Sequence, residues 1–184
     1  MAGRTDHQIA TEMLGGERAG GRVPLLLDEL AAALDRRKEQ IRAEGCTYPG
    51  VPETLAALAG RDGLAQSLLT GNVELNAAVK VGAFGLERWL DFELGAYGSD
   101  PHEERSDLVA VARERAERKL GERIEPVLVG DTPLDVRAAR DAGARAIAVA
   151  TGFSSLEELE AAGPAELLTD LSDTESSVAA ITRR

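Results

Sequence analysis

An α/β fold with a Rossmann-like parallel sheet and covering helices is what this sequence predicts, on three observations. From about residue 48, short and almost wholly apolar runs alternate with segments of helical periodicity, the pattern of strands buried on both faces. The stretch before it is helical only. Each of the first three runs opens into polar or acidic residues at its end, Thr70, Ser99 with Asp100, and Asp131 with Asp135, and ligands of open parallel sheets bind at the carboxyl ends of strands.

The elements follow in order. Thr5 stands three residues before Gln8, a capping-box spacing, with Ile9, Ala10, Met13 and Leu14 at helical intervals, so a helix starts there and stops at Gly15 and Gly16. A second helix is predicted over residues 23–43, with Val23, Leu27, Leu30, Leu34 and Ile41 on one face. Pro49, Gly50 and Pro52 mark a linker. Strands are expected at residues 64–70, 93–99, 126–130 and 145–150, and helices near 73–81, 106–120 and 133–141. The tail adds helices near 155–162 and 175–181, with "AELLTD" between them as an extra edge strand.

With 21 Lys and Arg against 32 Asp and Glu, the formal charge is −11, and no basic stripe with interleaved aromatics occurs. Nucleic-acid and anionic-membrane binding are disfavoured by that balance. No apolar run approaches the roughly 20 residues of a membrane span. Cys46 is the one cysteine, so no internal disulfide forms, and no secretory pattern opens the chain; a reducing cytoplasm is the expected setting. Cys46 with His7 or His102 lacks the local signature of a nucleophilic pair.

Three strand ends carry the candidate chemistry. Asp131 and Asp135 stand four apart, one leaving a strand and the other in the first turn of a helix that Pro133 begins. Both acids suit a helix start through the dipole alone; as hard oxygen ligands they suit Mg²⁺, which takes one or two carboxylates with substrate phosphate and water. Thr70, Gly71 and Asn72 form either a strand end that caps the next helix or a hydroxyl with backbone N–H groups that donate to a phosphate oxygen. Arg105 opens a helix, where the dipole disfavours a cation, so a ligand or a carboxylate partner is expected beside it.

Taken together, these residues resemble the haloacid dehalogenase (HAD) superfamily, and within it the phosphoglycolate-phosphatase-like hydrolases with a helical cap. Leu68 to Asn72 is similar to the second family motif, Arg105 to the basic third, and Gly130 to Asp135 to the fourth. Residues 1–47 look like a helical cap segment and 48–184 like the HAD-like core. The resemblance implies a Mg²⁺-dependent phosphatase that cleaves a small phosphorylated metabolite through an aspartyl-phosphate. It implies that Asp131 ligates the metal and Asp135 ligates it or orients a ligand. Thr70 would hold a phosphoryl oxygen, Gly71 and Asn72 would bind substrate, and Arg105 would offset transition-state charge.

One motif departs from the pattern. The family's first motif is a strand followed by Asp-x-Asp, the nucleophile and the acid–base, and no Asp-x-Asp occurs in the chain. The early acid Asp6 follows no apolar run. In the family that first strand lies between those ending at Thr70 and Gly130, so the two should pair directly or keep unpaired edges. The chain thus reads as shortened at its N-terminus, by a start assigned too far downstream or as a homologue that lost catalysis and serves as a binding or interaction module. Arg4 reads as a solvated side chain or a substrate contact. Phosphoglycolate, another small phosphomonoester and a nucleotide monophosphate all remain open as substrate. A dinucleotide-binding oxidoreductase is disfavoured, since "TGNVELN" lacks G-x-G-x-x-G.

Overall fold

The computed structural model describes residues 5–16, 21–100 and 104–183. Thr5 begins the first helix, α1 (Asp6–Met13), with the expected reciprocal cap: its hydroxyl accepts from Gln8 N at 3.2 Å, and the Gln8 side chain accepts from Thr5 N at 3.1 Å. Ala10 of α1 packs with Val23 and Leu27 of α2 (Arg22–Arg36) and with Val73, tying the N-terminal helices to the rest of the chain.

The long second helix expected over 23–43 is broken. It ends at Arg36, where the N–H of the following Arg37 closes a three-residue turn on Leu34 O at 2.9 Å, and restarts as α3 (Lys38–Glu44). Its buried row is Val23, Leu27 and Ala31, advancing in steps of four, and Leu30, one place short of that row, is exposed. A fourth helix, α4 (Val51–Ala59), follows the linker.

Three parallel strands form the sheet in the order β1 (Val127–Gly130), β2 (Arg145–Val149), β3 (Glu166–Leu168). The crossovers are α7 (Pro133–Asp141) and α8 (Leu156–Ala162). Side chains alternate across a strand, and β2 shows the result. Ala146 and Ala148 face Val136, Ala139 and Leu159 of the crossover helices. Ile147 faces Leu58 of α4 with Val178 and Ile181 of α9 (Thr174–Thr182). The expected three-layer α/β architecture is present, including the extra edge strand, and no helix among the described residues is long and apolar enough to cross a membrane.

Two expected strands are reduced. Residues 64–70 and 93–99 meet in one parallel bridge, Leu69 to Ala96, closed by Thr70 N to Ala96 O at 3.0 Å and Ala96 N to Leu68 O at 2.9 Å. Side chains take over where a ladder would continue. Gln66 donates to Leu55 O and Trp89 O, Ser67 donates to Asp91 O at 2.6 Å, and residues Phe92–Leu94 wind into a 3₁₀ turn. Residues 64–70 and β1 do not pair, and among the described residues no strand lies on the outer edge of β1. Val129 on that strand is 43% exposed, an open edge of the kind sheets usually cover.

Past Leu94 the chain is held by Tyr97, fully buried, whose hydroxyl donates to Phe92 O at 2.8 Å. Burial first, and then the Glu74 carboxylate, push this phenol up to about 12. A folded-state pKa above the ordinary 10 means that the contribution of Tyr97 is complete below pH 10 and is lost as pH rises through 12. Tyr97→Phe is expected to cost about 1 kcal/mol at neutral pH and to flatten the loss of stability above pH 10, as read from urea midpoints across the alkaline range. An unchanged alkaline slope in the variant would assign that loss to other groups.

Candidate active site

The turn from β1 to α7 is built around one carboxylate. Thr132 is the N-cap of α7; its hydroxyl accepts from Asp135 N at 3.2 Å, and Asp135 Oδ2 accepts from Thr132 N at 3.2 Å and from the Thr132 hydroxyl at 2.8 Å. Gly130 allows this closure, because a Cβ there would lie 2.5 Å from the Asp135 Cβ. The other oxygen, Asp135 Oδ1, accepts from Arg105 Nε at 3.0 Å and Nη2 at 2.7 Å. Arg105 opens α6 (Arg105–Leu120), and its carboxylate partner offsets the unfavourable dipole at that position.

Asp131 differs sharply from Asp135. It lies between β1 and the cap of α7 and, among the described residues, its carboxylate takes no hydrogen bond or ion pair. It packs against the loop after β2, where a Cβ on Gly152 would sit 2.1 Å from Asp131 Oδ2. Of the two acids, Asp135 is engaged at both oxygens and Asp131 is available.

The second strand end is equally ordered. Thr70 Oγ1 accepts from Asn72 N at 3.2 Å and from Asn72 Nδ2 at 2.9 Å. The Asn72 amide oxygen accepts from Lys80 Nζ, on α5 (Glu74–Gly82). Thr70 does not cap α5, whose N-cap is Val73 without a side-chain bond. Asp6 of α1 reaches this loop instead. Its N–H donates to Gly71 O at 2.7 Å, and its Oδ2 accepts from Val73 N at 3.0 Å and Asn76 Nδ2 at 2.8 Å. Gly98 presses on the same loop, its N–H bonded to Asn72 O at 2.8 Å. At the next turn, Asp100 is engaged structurally, bound by both terminal nitrogens of Arg115 at 2.6 and 2.9 Å.

Sequence reasoning missed Lys80 and gave Asp6 no partner. For Lys80 a signal existed: Asn72, Asn76 and Lys80 recur every four residues, one face at helical spacing. For Asp6 none did, since its partners lie some 70 residues away. A cavity of about 270 Å³ lies between α1, α6 and α7, lined by Thr5, Gln8, Arg105, Ser106, Leu134 and Arg137, with neither Thr70 nor Asp131 in its wall. Thus Arg105 meets Asp135, and Thr70 meets Asn72. Cys46 is exposed and free; Arg4 and His102 lie outside the described residues.

The described residues contain no cluster of three or more His, Cys, Asp or Glu side chains suited to a metal. Mg²⁺ does not require one, because it retains water and uses one or two carboxylates with substrate phosphate. Asp131 fits as that one protein ligand. Asp135, bonded to Thr132 and Arg105, fits the role of orienting its surroundings.

A three-stranded parallel sheet with helices on both faces, and two acids at the carboxyl end of β1, places the chain in the Rossmann-like α/β class. Within it, the chain belongs to the haloacid dehalogenase-like hydrolase family. Residues 106–174 match the HAD-hydrolase-like family model. A probable phosphatase, IndB of Dickeya dadantii (strain 3937), is 33% identical over 176 residues, covering 89% of this chain and 74% of that protein. Among solved structures, a hydrolase from Pseudomonas syringae shares the fold at a TM-score of 0.65 and 21% identity, over 95% of this chain and 78% of that one. CbbY from Rhodobacter sphaeroides, in complex with phosphate, is 26% identical at a TM-score of 0.58, over 76% of this chain and 61% of that one.

Proposed function

We propose that this chain binds the phosphoryl group of a small phosphomonoester together with Mg²⁺, the substrate-holding part of a phosphatase reaction. The observation that carries the reading is the division of labour between two acids on one turn. Asp135 is immobilised by Thr132 and Arg105, whereas Asp131, at the strand end, keeps its carboxylate available. When bound there, Mg²⁺ would neutralise phosphoryl charge. Thr70 would donate its hydroxyl to a phosphoryl oxygen, with the Gly71 and Asn72 segment beside it. Arg105, aligned by Asp135, would supply positive charge to the same group. The phosphate and the xylulose 1,5-bisphosphate bound by CbbY structures that resemble this chain support a phosphorylated small molecule as ligand.

Hydrolysis through an aspartyl-phosphate needs an attacking acid, and the 184 residues contain no Asp-x-Asp. Two measurements separate catalysis from binding. Thermal melts with inorganic phosphate should show stabilisation only when Mg²⁺ is present, about 2.7 kcal/mol at about a hundredfold excess over Kd, and Asp131→Asn should abolish it. Hydrolysis of p-nitrophenyl phosphate that is lost in Asp131→Asn would establish an enzyme. Stabilisation without turnover would leave a binding module, and no Mg²⁺-dependent stabilisation at all would overturn the proposal.

A further inference from the structure

We infer that Lys80 is a positioning residue for the phosphate site, acting through Asn72 to make the Thr70 hydroxyl an obligate hydrogen-bond donor. The inference rests on the reading of Thr70 as a phosphoryl ligand and adds the device that would orient it.

A threonine hydroxyl has one donor and two acceptor lone pairs. In this structure both lone pairs of Thr70 Oγ1 are taken by one residue, from Asn72 N at 3.2 Å and Asn72 Nδ2 at 2.9 Å. Its own hydrogen must therefore go elsewhere, and no protein acceptor takes it among the described residues. A phosphoryl oxygen accepts and does not donate, so a hydroxyl committed to donation is matched to it.

The commitment depends on which way the Asn72 amide faces. An asparagine amide has two orientations, and the hydrogen-bond network selects between them. With the oxygen turned to Thr70, the hydroxyl would donate into Asn72 and be withdrawn from a ligand. Lys80 selects against this arrangement. An ammonium has three donors and no acceptor, so Asn72 Oδ1 turns to Lys80 Nζ and Asn72 Nδ2 to Thr70. Lys80 sits on the exposed side of α5, where its removal takes nothing from the core.

A point-charge role for Lys80 is the alternative, and a double-mutant cycle separates the two. Inorganic phosphate binding in saturating Mg²⁺ would be measured by ³¹P NMR titration for the parent, Lys80→Met, Lys80→Arg, Thr70→Val and the Lys80→Met/Thr70→Val pair, with melts to verify folding. Lys80→Met should weaken phosphate about tenfold, the scale of one charge-assisted hydrogen bond, and Lys80→Arg should restore affinity to within about twofold of the parent. In the Thr70→Val background Lys80→Met should have almost no further effect, since no hydroxyl is left to orient. An equal loss in both backgrounds would overturn the inference while leaving phosphate binding intact. A parent that binds no phosphate would remove the functional reading and this inference with it.

Discussion

Gly98→Ala will destabilise the protein by about 3 kcal/mol or more and abolish the proposed phosphate binding, although Gly98 belongs to no candidate motif. A Cβ at this position would lie 2.0 Å from Gly71 O, 2.7 Å from Gly71 C and 3.0 Å from the Thr5 Cβ. The first two atoms are backbone, so no side-chain rotation relieves the contact. Gly71 O also accepts from Asp6 N, and Gly98 N is bonded to Asn72 O. The alanine methyl must therefore drive the loop after Thr70 away from both α1 and the neighbouring turn. Gly60→Ala provides the control: it has an ordinary backbone conformation with nothing within 4 Å, and should fall within about 0.5 kcal/mol of the parent. Urea midpoints for both variants decide the matter. A Gly98→Ala protein within about 1 kcal/mol of the parent would mean that the close approach of the two backbones does not exist in solution.

How much of this arrangement the sequence disclosed depended on how local each cause was. The Thr5 cap and the start of α7 at Pro133 were legible because the groups involved stand within three residues of one another. The strand β2 was legible because both its faces are buried and its residues are accordingly apolar, and β1 because it carries a similar apolar run, although Val129 on its open edge is exposed. Residues 64–70 and 93–99 carry a similar apolar character, yet their pairing is decided by Gln66 and Ser67 reaching carbonyls of other segments, which no local pattern displays. The same holds at the site. Asp131 and Asp135 looked alike in sequence as two acids on one turn. What distinguishes them is Arg105, 30 residues before Asp135. Asp6 offered no local reason for its position, and its function in the fold, closing the N-terminal end of α5, emerges only when α1 docks.

The pair that separates the two acids should also be the strongest electrostatic contact of the site. Asp135 is 8% exposed and Arg105 supplies two donors to a single carboxylate oxygen. Arg105→Ala leaves that carboxylate buried with only its Thr132 bonds, and the expected cost is about 3 kcal/mol. Asp135→Asn should cost less, because the amide oxygen can still take the Thr132 bonds of the capping box and Arg105, about a quarter exposed, regains water. The double variant should then be less destabilised than the sum of the two, with a coupling of about 1–2 kcal/mol. Arg105→Lys should recover part of the loss, since an ammonium restores the charge without the planar fork. Phosphate binding in Asp135→Asn completes the test. If Asp135 acts by aligning Arg105, affinity falls in this variant while the Mg²⁺ requirement proposed for Asp131 persists. If Asp135 were itself a metal ligand, the Mg²⁺ dependence would weaken as well. Coupling near zero would mean that Arg105 and Asp135 act independently, and the contrast between a fixed acid and an available one would no longer explain why two carboxylates stand on this turn.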